Sequence, residues 1–185
     1  MPAALIDQIY ALFAEYGDDR YGEEVDQLQH VLQAAQAARE DGASDTLIAA
    51  ALLHDIGQFV DGAGLAADLH GADARHEELG AALLATAFPP AVYEPVRLHV
   101  AAKRYLCAVE PSYEAGLSAA SALSLRLQGG AFDAAGIAAF EQEPYFADAV
   151  ALRRYDDIGK QPDWQVPDLA SYRPLLERLA VRPLA

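Results

Sequence analysis

Apolar residues recur along the chain at the three- and four-residue spacing of α-helices, in stretches rich in alanine and leucine. The first stretch shows the pattern clearly, because Leu5, Ile9, Leu12 and Phe13 fall on one stripe. Glycine and proline separate the stretches, and no runs of β-branched residues alternate at period two as strands would. The pattern therefore predicts an all-α fold.

Capping residues and helix breakers set the predicted boundaries. Ser44, Asp45 and Ser118 are N-cap candidates, and Gly57 is a candidate left-handed residue after a helix end. Pro95 is predicted to lie in the first turn of its helix, where a missing N–H costs no hydrogen bond. The predicted helices cover residues 4–16, 23–40, 45–53, 73–87, from the Pro89-Pro90 break to 105, 118–128, 133–142, 144–158 and 171–180, and a glycine-rich loop covers 58–72.

The length and composition favour one globular domain. The chain has 185 residues, 53% of them hydrophobic, which is enough to bury a core. It shows no internal repeat and no linker that would divide it. We expect a single domain over residues 1–185, with its motifs within about 20–160 and a C-terminal segment that packs back on the core.

The charge balance excludes some classes of partner. The 13 basic and 28 acidic side chains give a net charge of −15, which repels nucleic acids and anionic membrane surfaces, although local basic residues still allow a small anionic substrate. Cys107 is the single cysteine, and no apolar run is long enough to cross a bilayer. The sequence also lacks a signal-peptide pattern, so we expect a cytoplasmic protein, either a monomer or a small homo-oligomer.

Histidine and aspartate are placed as metal ligands would be. A single such histidine is more often a core or surface residue, and only the combination points to metal. Four imidazoles and two carboxylates suffice for two transition ions, and this nitrogen-rich set suits iron, manganese or zinc better than magnesium or calcium. The candidates are His30, His54, Asp55, His76, His99 and Asp156.

The predicted helices also place polar groups near these candidates. Glu23, Gln27, His30 and Ala34 recur at helical spacing, which predicts a polar face directed at the site. Two cations lie on the same face as a candidate ligand, Lys103 with His99 and Arg153 with Asp156. Ser121, Ser124 and Gln128 share another helix face, where the hydroxyls either contact a substrate or simply allow close helix packing.

The order of these residues resembles the H…HD…D signature of the HD-domain superfamily, a helical fold of metal-dependent phosphohydrolases. A closer similarity covers about residues 20–160 and links the chain to the HD-domain diiron oxygenases of organophosphonate breakdown, which are related in chemistry to myo-inositol oxygenase. This similarity is carried by YGEEVDQLQH (21–30), HVAAKRYLC (99–107), the stretch 121–130 ending in LQGG, and LRRYD (152–156).

The resemblance implies a reaction and its cofactors. Such enzymes hold a mixed-valence Fe(II)/Fe(III) pair and use O₂ to cleave the C–P bond of a 1-hydroxyphosphonate, releasing phosphate. A substrate of this class is 2-amino-1-hydroxyethylphosphonate or an N-methylated relative. By the same resemblance, Asp55 bridges the ions, His30, His54 and Asp156 complete one site, and His76 and His99 complete the other.

The resemblance also implies roles around the substrate. Lys103 and Arg153 would hold the phosphonate, with Ser121, Ser124 and Gln128 as neutral donors. Glu23 would lie beside the substrate together with position 58, where Gln58 replaces the usual histidine and can hydrogen-bond but cannot titrate. Tyr21 would be a displaceable iron ligand and lid. His70 has no counterpart and is predicted to be a surface residue.

Two other functions fit part of this pattern. An HD-type phosphohydrolase would use the same metals and cations on a small phosphate ester or nucleotide, without O₂. A non-catalytic HD module would sense a ligand or scaffold a partner, but such modules lose metal ligands first, and here all six candidates are present.

Overall fold

The structure is a computed structural model that describes residues 2–60 and 71–181, and within these ranges it contains nine α-helices and no β-strand. The all-α prediction is therefore confirmed. Short 3₁₀ helices cover Ile56–Phe59, Glu114–Gly116 and Leu169–Tyr172. The α-helices are α1 (Pro2–Tyr16), α2 (Gln27–Glu40), α3 (Asp45–Leu53), α4 (His76–Leu84), α5 (Pro90–Val109), α6 (Ala119–Leu127), α7 (Ala134–Phe140), α8 (Phe146–Ile158) and α9 (Arg173–Leu179).

Four helices form the centre of the bundle. Helices α2, α3, α5 and α8 pack against one another, and α4 packs on α5 and on the 3₁₀ helix Ile56–Phe59. Helix α3 is almost entirely buried, and its three consecutive alanines, 49–51, are completely inaccessible to solvent. Small side chains let neighbouring helices approach closely. This close packing brings histidines from different helices within reach of one another.

The two ends of the chain close one side of the core. Helix α1 contributes Leu5, Ile6, Ile9 and Phe13, and α9 contributes Leu175 and Leu176, with Tyr172 completely buried just before it. Both helices contact each other, and α9 also contacts α3. No helix among the described residues combines the length and apolar character that a bilayer crossing needs.

Several helix boundaries differ from the predicted ones. Helix α2 begins at Gln27 rather than at 23, because the Asp26 side chain caps it by accepting a 2.8 Å hydrogen bond from the Gln29 N–H. Glu23 therefore lies before the helix, not on its face with Gln27 and His30. Helix α4 begins at His76 rather than at 73, because Arg75 adopts a left-handed conformation. The predicted cap at Ser118 is confirmed, since its hydroxyl accepts from the Ser121 N–H.

The predictions for Gly57 and Pro95 are wrong. Gly57 is not left-handed and lies in a 3₁₀ helix; a Cβ there would sit 1.9 Å from the His76 carbonyl oxygen, so close backbone packing is what requires glycine. Pro95 lies in the second turn of α5, because Pro89 is the N-cap, and it therefore removes one helical hydrogen bond. Within the predicted loop 58–72, residues 58–59 belong to the 3₁₀ helix, whereas 61–70, including His70, lie outside the described residues.

Candidate metal centre

The six candidate ligands converge from five segments of the chain. Each is buried or nearly so, and each presents an imidazole nitrogen or a carboxylate oxygen to the same small volume. His30 comes from α2, His54 and Asp55 from the end of α3, His76 from the start of α4, His99 from α5 and Asp156 from α8.

The first half of this cluster consists of His30, His54 and Asp156. The Nε2 atoms of the two histidines are 3.1 Å apart. Asp156 Oδ1 lies 3.4 Å from His30 Nε2 and 4.0 Å from His54 Nε2. Three donor atoms of the types that bind transition ions therefore surround one point.

The second half consists of His76 and His99, with Asp55 between the halves. The two Nε2 atoms are 3.2 Å apart, and Asp55 Oδ1 lies 3.3 Å from that of His76 and 3.9 Å from that of His99. The other oxygen, Oδ2, lies 3.7 Å from His30 Nε2. Asp55 thus presents oxygens to both halves, as a bridging carboxylate must.

The outer nitrogens of three histidines determine what the inner nitrogens can do. Nδ1 of His30, His54 and His99 lies 2.7–2.8 Å from the carbonyl oxygens of Gly159, Ala51 and Val96. A carbonyl only accepts, so each Nδ1 carries the proton and each neutral ring has a bare Nε2 lone pair.

The bare lone pairs make the donor set fit a metal. Those of His30 and His54 face each other at 3.1 Å inside the protein, where no hydrogen lies between them to form a hydrogen bond. A cation about 2 Å from each nitrogen would replace this repulsion by two coordinate bonds. Outer Nδ1–H groups held by carbonyls are also the usual support of metal-binding histidines.

Burial and charge hold three of these groups in their metal-binding forms. Burial lowers the pKa of His30, and it lowers the pKa of His99 to about 3, so both rings are neutral at pH 7. Burial would raise the pKa of Asp156, but Arg153 and Lys160 outweigh it and keep that pKa below its usual range. Neutral imidazole and ionised carboxylate are the forms that bind metal ions.

The cluster forms the floor of a small pocket. Its cavity of about 110 Å³ is well below the roughly 300–1,000 Å³ of sites for drug-sized ligands, so it suits a small substrate. His54 lies beneath the floor and is completely buried. All the other sequence-predicted site residues line the cavity: Tyr21, Glu23, His30, Asp55, Gln58, His76, His99, Lys103, Ser121, Ser124, Gln128, Arg153 and Asp156.

Comparison with known proteins decides the family. The HD domain family model matches residues 27–124, more than half of the chain and including five of the six candidate ligands. This chain belongs to the HD-domain family. The family predicted from the motifs is therefore confirmed, with Asp156 lying beyond the matched segment.

Relatives of this HD-domain chain include two named enzymes. It is 42% identical to the 1-hydroxy-2-(trimethylamino)ethylphosphonate dioxygenase (glycine-betaine-forming) of Leisingera caerulea, over 95% of this chain and 90% of that protein. It is 45% identical to the hydroxymethylphosphonate dioxygenase of Gimesia maris, over 95% of this chain and 88% of that protein. An uncharacterized protein, L432, of Acanthamoeba polyphaga mimivirus is 32% identical over 92% of this chain and 80% of that protein.

The two cationic side chains that are predicted to bind the substrate both line the pocket, and they have different hydrogen-bond partners. Lys103 is buried and its Nζ donates to Ser124 Oγ at 2.7 Å. Arg153 donates to Asp156 Oδ2 at 2.7 Å and also to Asp157 and the Tyr113 hydroxyl. Arg153 therefore orients a candidate metal ligand in addition to lining the pocket.

Three further predicted site residues also line the pocket. Tyr21 adopts a left-handed conformation, φ 41°, and its hydroxyl donates to Asp19 at 3.1 Å. Gln58 is half-buried in its 3₁₀ helix. Glu23 Oε1 accepts from Ser118 Oγ at 2.7 Å. Their catalytic roles stay predictions.

Sequence reasoning missed Lys160. Its Nζ donates to Glu23 Oε1 and to Ser121 Oγ, both at 2.9 Å, and lies 3.8 Å from Asp156 Oδ1. The signal in the sequence was its position four residues after Asp156, just past the end of α8. Gly159 was missed too: a Cβ there would lie 2.7 Å from the His30 carbonyl oxygen, so glycine lets this backbone accept from the His30 ring.

Proposed function

We propose that this HD-domain chain is an oxygenase that uses O₂ to cleave the C–P bond of a small 1-hydroxyphosphonate and releases phosphate. The observation that carries the proposal is a cluster of six candidate metal ligands beside a buried cation, Lys103, at one small cavity. The names of the two dioxygenases at 42% and 45% identity support the same reaction class.

The proposed cofactor is a pair of iron ions, Fe(II) and Fe(III). His30, His54 and Asp156 would hold one ion, His76 and His99 the other, and Asp55 would bridge them. When bound, this pair would supply the O₂ and redox chemistry, which protein side chains cannot provide. The remaining contribution of the chain is to bind, orient and neutralise the substrate.

Substrate binding in this proposal is electrostatic. Lys103 and Arg153 supply positive charge for the phosphonate, and Ser121, Ser124 and Gln128 supply neutral groups around it. Because Lys103 is 3% exposed, its attraction for an anion is weakly screened by solvent. Glu23 and Gln58 would position the other end of the substrate, and Tyr21 would cover the iron site until substrate enters.

The test of the reaction is phosphate release. Iron-loaded protein is incubated in air with hydroxymethylphosphonate and with 1-hydroxy-2-(trimethylamino)ethylphosphonate, and phosphate is measured against an O₂-free control. We expect release from at least one compound, only with O₂. Release without O₂ from a phosphate ester, supported by manganese or cobalt, would instead indicate a phosphohydrolase.

The test of the cofactor is independent of substrate. Metal content should approach two irons per chain, and partial oxidation should give the EPR signal of a coupled Fe(II)/Fe(III) pair. One ion per chain, or a zinc or manganese protein that remains inactive with iron, would contradict the diiron assignment.

A further inference from the structure

The pocket wall carries an ion pair that bears on the choice of substrate. The two named relatives act, by their names, on hydroxyphosphonates that differ at the end away from the phosphonate: one carries an extra carbon with a trimethylammonium group, and the other carries neither. Both share the anionic, hydroxylated head. The charge and the space around the far end of the substrate therefore bear on which of them fits.

We propose that the pocket selects a hydroxyphosphonate without a cationic end and that Lys160, held by Glu23, is the residue that makes this selection. The inference rests on the proposed function and narrows its substrate class. It disfavours 2-amino-1-hydroxyethylphosphonate and its N-methylated relatives.

The first support is that the carboxylate suited to a cationic end is already engaged. Glu23 Oε1 accepts from Lys160 Nζ at 2.9 Å and from Ser118 Oγ at 2.7 Å. Both partners of the ion pair are largely shielded from solvent, with side chains 15% and 18% exposed. A substrate cation that lies beside Lys160 meets a like charge, and one that displaces Lys160 breaks its ion pair with Glu23.

Among the described residues, the other carboxylates of the pocket do not replace Glu23. Asp55 and Asp156 belong to the candidate metal centre, and Arg153 also holds Asp156. Asp73 lies at the pocket, but it is exposed and its carboxylate accepts from the Arg75 N–H. An exposed carboxylate attracts a cation weakly because water and salt screen it.

The described residues of the pocket also lack the aromatic surface that quaternary ammonium groups prefer. Such groups are held by cages of several aromatic rings. Among the described residues that line the cavity, Tyr21 is the one member of the Phe, Tyr and Trp set.

Neutral amides also line the cavity. Gln27, Gln58 and Gln128 line the cavity, and the Oε1 atoms of Gln27 and Gln128 are buried without a hydrogen-bond partner among the described residues. An unpaired amide oxygen accepts a hydrogen bond, so these two positions favour a ligand that donates one, such as a substrate hydroxyl. Together with the small cavity, they suit a compact neutral-tailed substrate such as hydroxymethylphosphonate.

The decisive measurement is the ratio of kcat/KM for the uncharged-end compound to kcat/KM for the cationic compound. We expect kcat/KM for hydroxymethylphosphonate to exceed that for 1-hydroxy-2-(trimethylamino)ethylphosphonate by about 100-fold, the size that an unfavourable like-charge contact produces. Lys160→Met frees Glu23 and should lower this ratio at least about tenfold, mainly by improving use of the cationic compound. Adding Glu23→Gln to Lys160→Met should raise the ratio again, because the freed carboxylate is gone.

Lys103→Met is the matched control, since Lys103 and Lys160 are the two lysines of the chain. Lys103 serves the phosphonate end, which both compounds share, so this variant should weaken both alike and leave the ratio unchanged. Titration of the two compounds into the metal-loaded protein without O₂ gives the same comparison from binding alone. Circular dichroism checks that each variant is folded.

The outcomes separate this inference from the proposed function. Equal or preferred use of the cationic compound by the wild type, or a ratio that Lys160→Met leaves unchanged, overturns the role of Lys160. Absence of phosphate release from both compounds overturns the proposed reaction, and the binding titration then still decides whether Lys160 discriminates between them.

Discussion

The two halves of the candidate metal centre contain similar side chains but are supported differently. In the first half, the outer nitrogens of His30 and His54 donate to backbone carbonyls, and Arg153 holds Asp156. In the second half, His99 has such a carbonyl partner, whereas His76 has none among the described residues: its Nδ1 faces Glu77 Oε2 at 3.7 Å, beyond hydrogen-bond distance.

The difference concerns preorganisation. His76 begins α4 directly after the left-handed Arg75, and its side chain is 13% exposed against 0–5% for the other three candidate histidines. A ligand fixed before the ion arrives loses less conformational freedom on binding. We therefore expect the first half to bind its ion more tightly and the second half to exchange its ion more readily.

The largest effect is expected where the halves meet. Asp55→Ala removes the carboxylate that faces both, so both ions should be lost and phosphate release should fall by more than about 100-fold, since even outer partners of metal ligands cost 10–100-fold. Metal content after dialysis measures the loss. Asp73→Ala, at an exposed pocket carboxylate, is the control and should keep both ions. Two retained ions in the Asp55 variant would rule out a bridging role.

The next effect should be confined to the first half. Gly159→Ala places a Cβ about 3.3 Å from His30 Nδ1 and closer still to the His30 carbonyl, which separates the His30 ring from its backbone support. Affinity for one ion should drop by about 10–100-fold, while the other stays bound. Stepwise iron titration resolves the two sites. Gly116→Ala, where a Cβ meets nothing within 4 Å, is the control.

A smaller effect should appear in the second half. Burial raises the pKa of Glu77, and its Oε2 has no hydrogen-bond partner among the described residues. Glu77→Gln removes the negative charge beside His76, so affinity for the second ion should fall by up to about tenfold. Glu78→Gln changes the exposed neighbouring glutamate, so this control variant should leave the affinities for both ions unchanged. If Glu77→Gln weakens the first ion instead, the comparison of the halves is wrong.

The smallest expected effect is a pH dependence of KM that arises from Lys103, near the second half. Burial and Arg153 lower the pKa of Lys103 to about 7. The cation that attracts the phosphonate is therefore present below that pH and lost as pH rises through it, although the bound anion itself favours the charged form. KM should rise a few-fold between about pH 7 and 9 in the wild type. In Lys103→Met, KM should already be higher at pH 7. Between about pH 7 and 9, the KM of this variant should change only as much as the titration of the substrate itself requires. An identical profile in both proteins would exclude Lys103 as the titrating group.

Local chemistry made much of this molecule predictable. Helical periodicity located the elements, and Ser44 and Ser118 cap their helices as predicted, because a cap needs only the side chain and an N–H three residues away. The failures share a cause. Glu23 was assigned to a helix face because helical spacing continued past Asp26, and Gly57 was assigned a left-handed turn because its contact, the His76 carbonyl, comes from a distant segment.

By itself, the sequence determined the all-α class and the approximate helix positions and supplied the six candidate metal ligands, because periodicity and residue chemistry are properties of neighbours along the chain. Tertiary structure alone decided that the donors form two pairs at 3.1 and 3.2 Å, that Gly159 supports His30, and that Lys160 binds Glu23 across 137 residues. Those distances depend on how α2, α3, α4, α5 and α8 pack, and helix packing is set by the whole core rather than by any local motif.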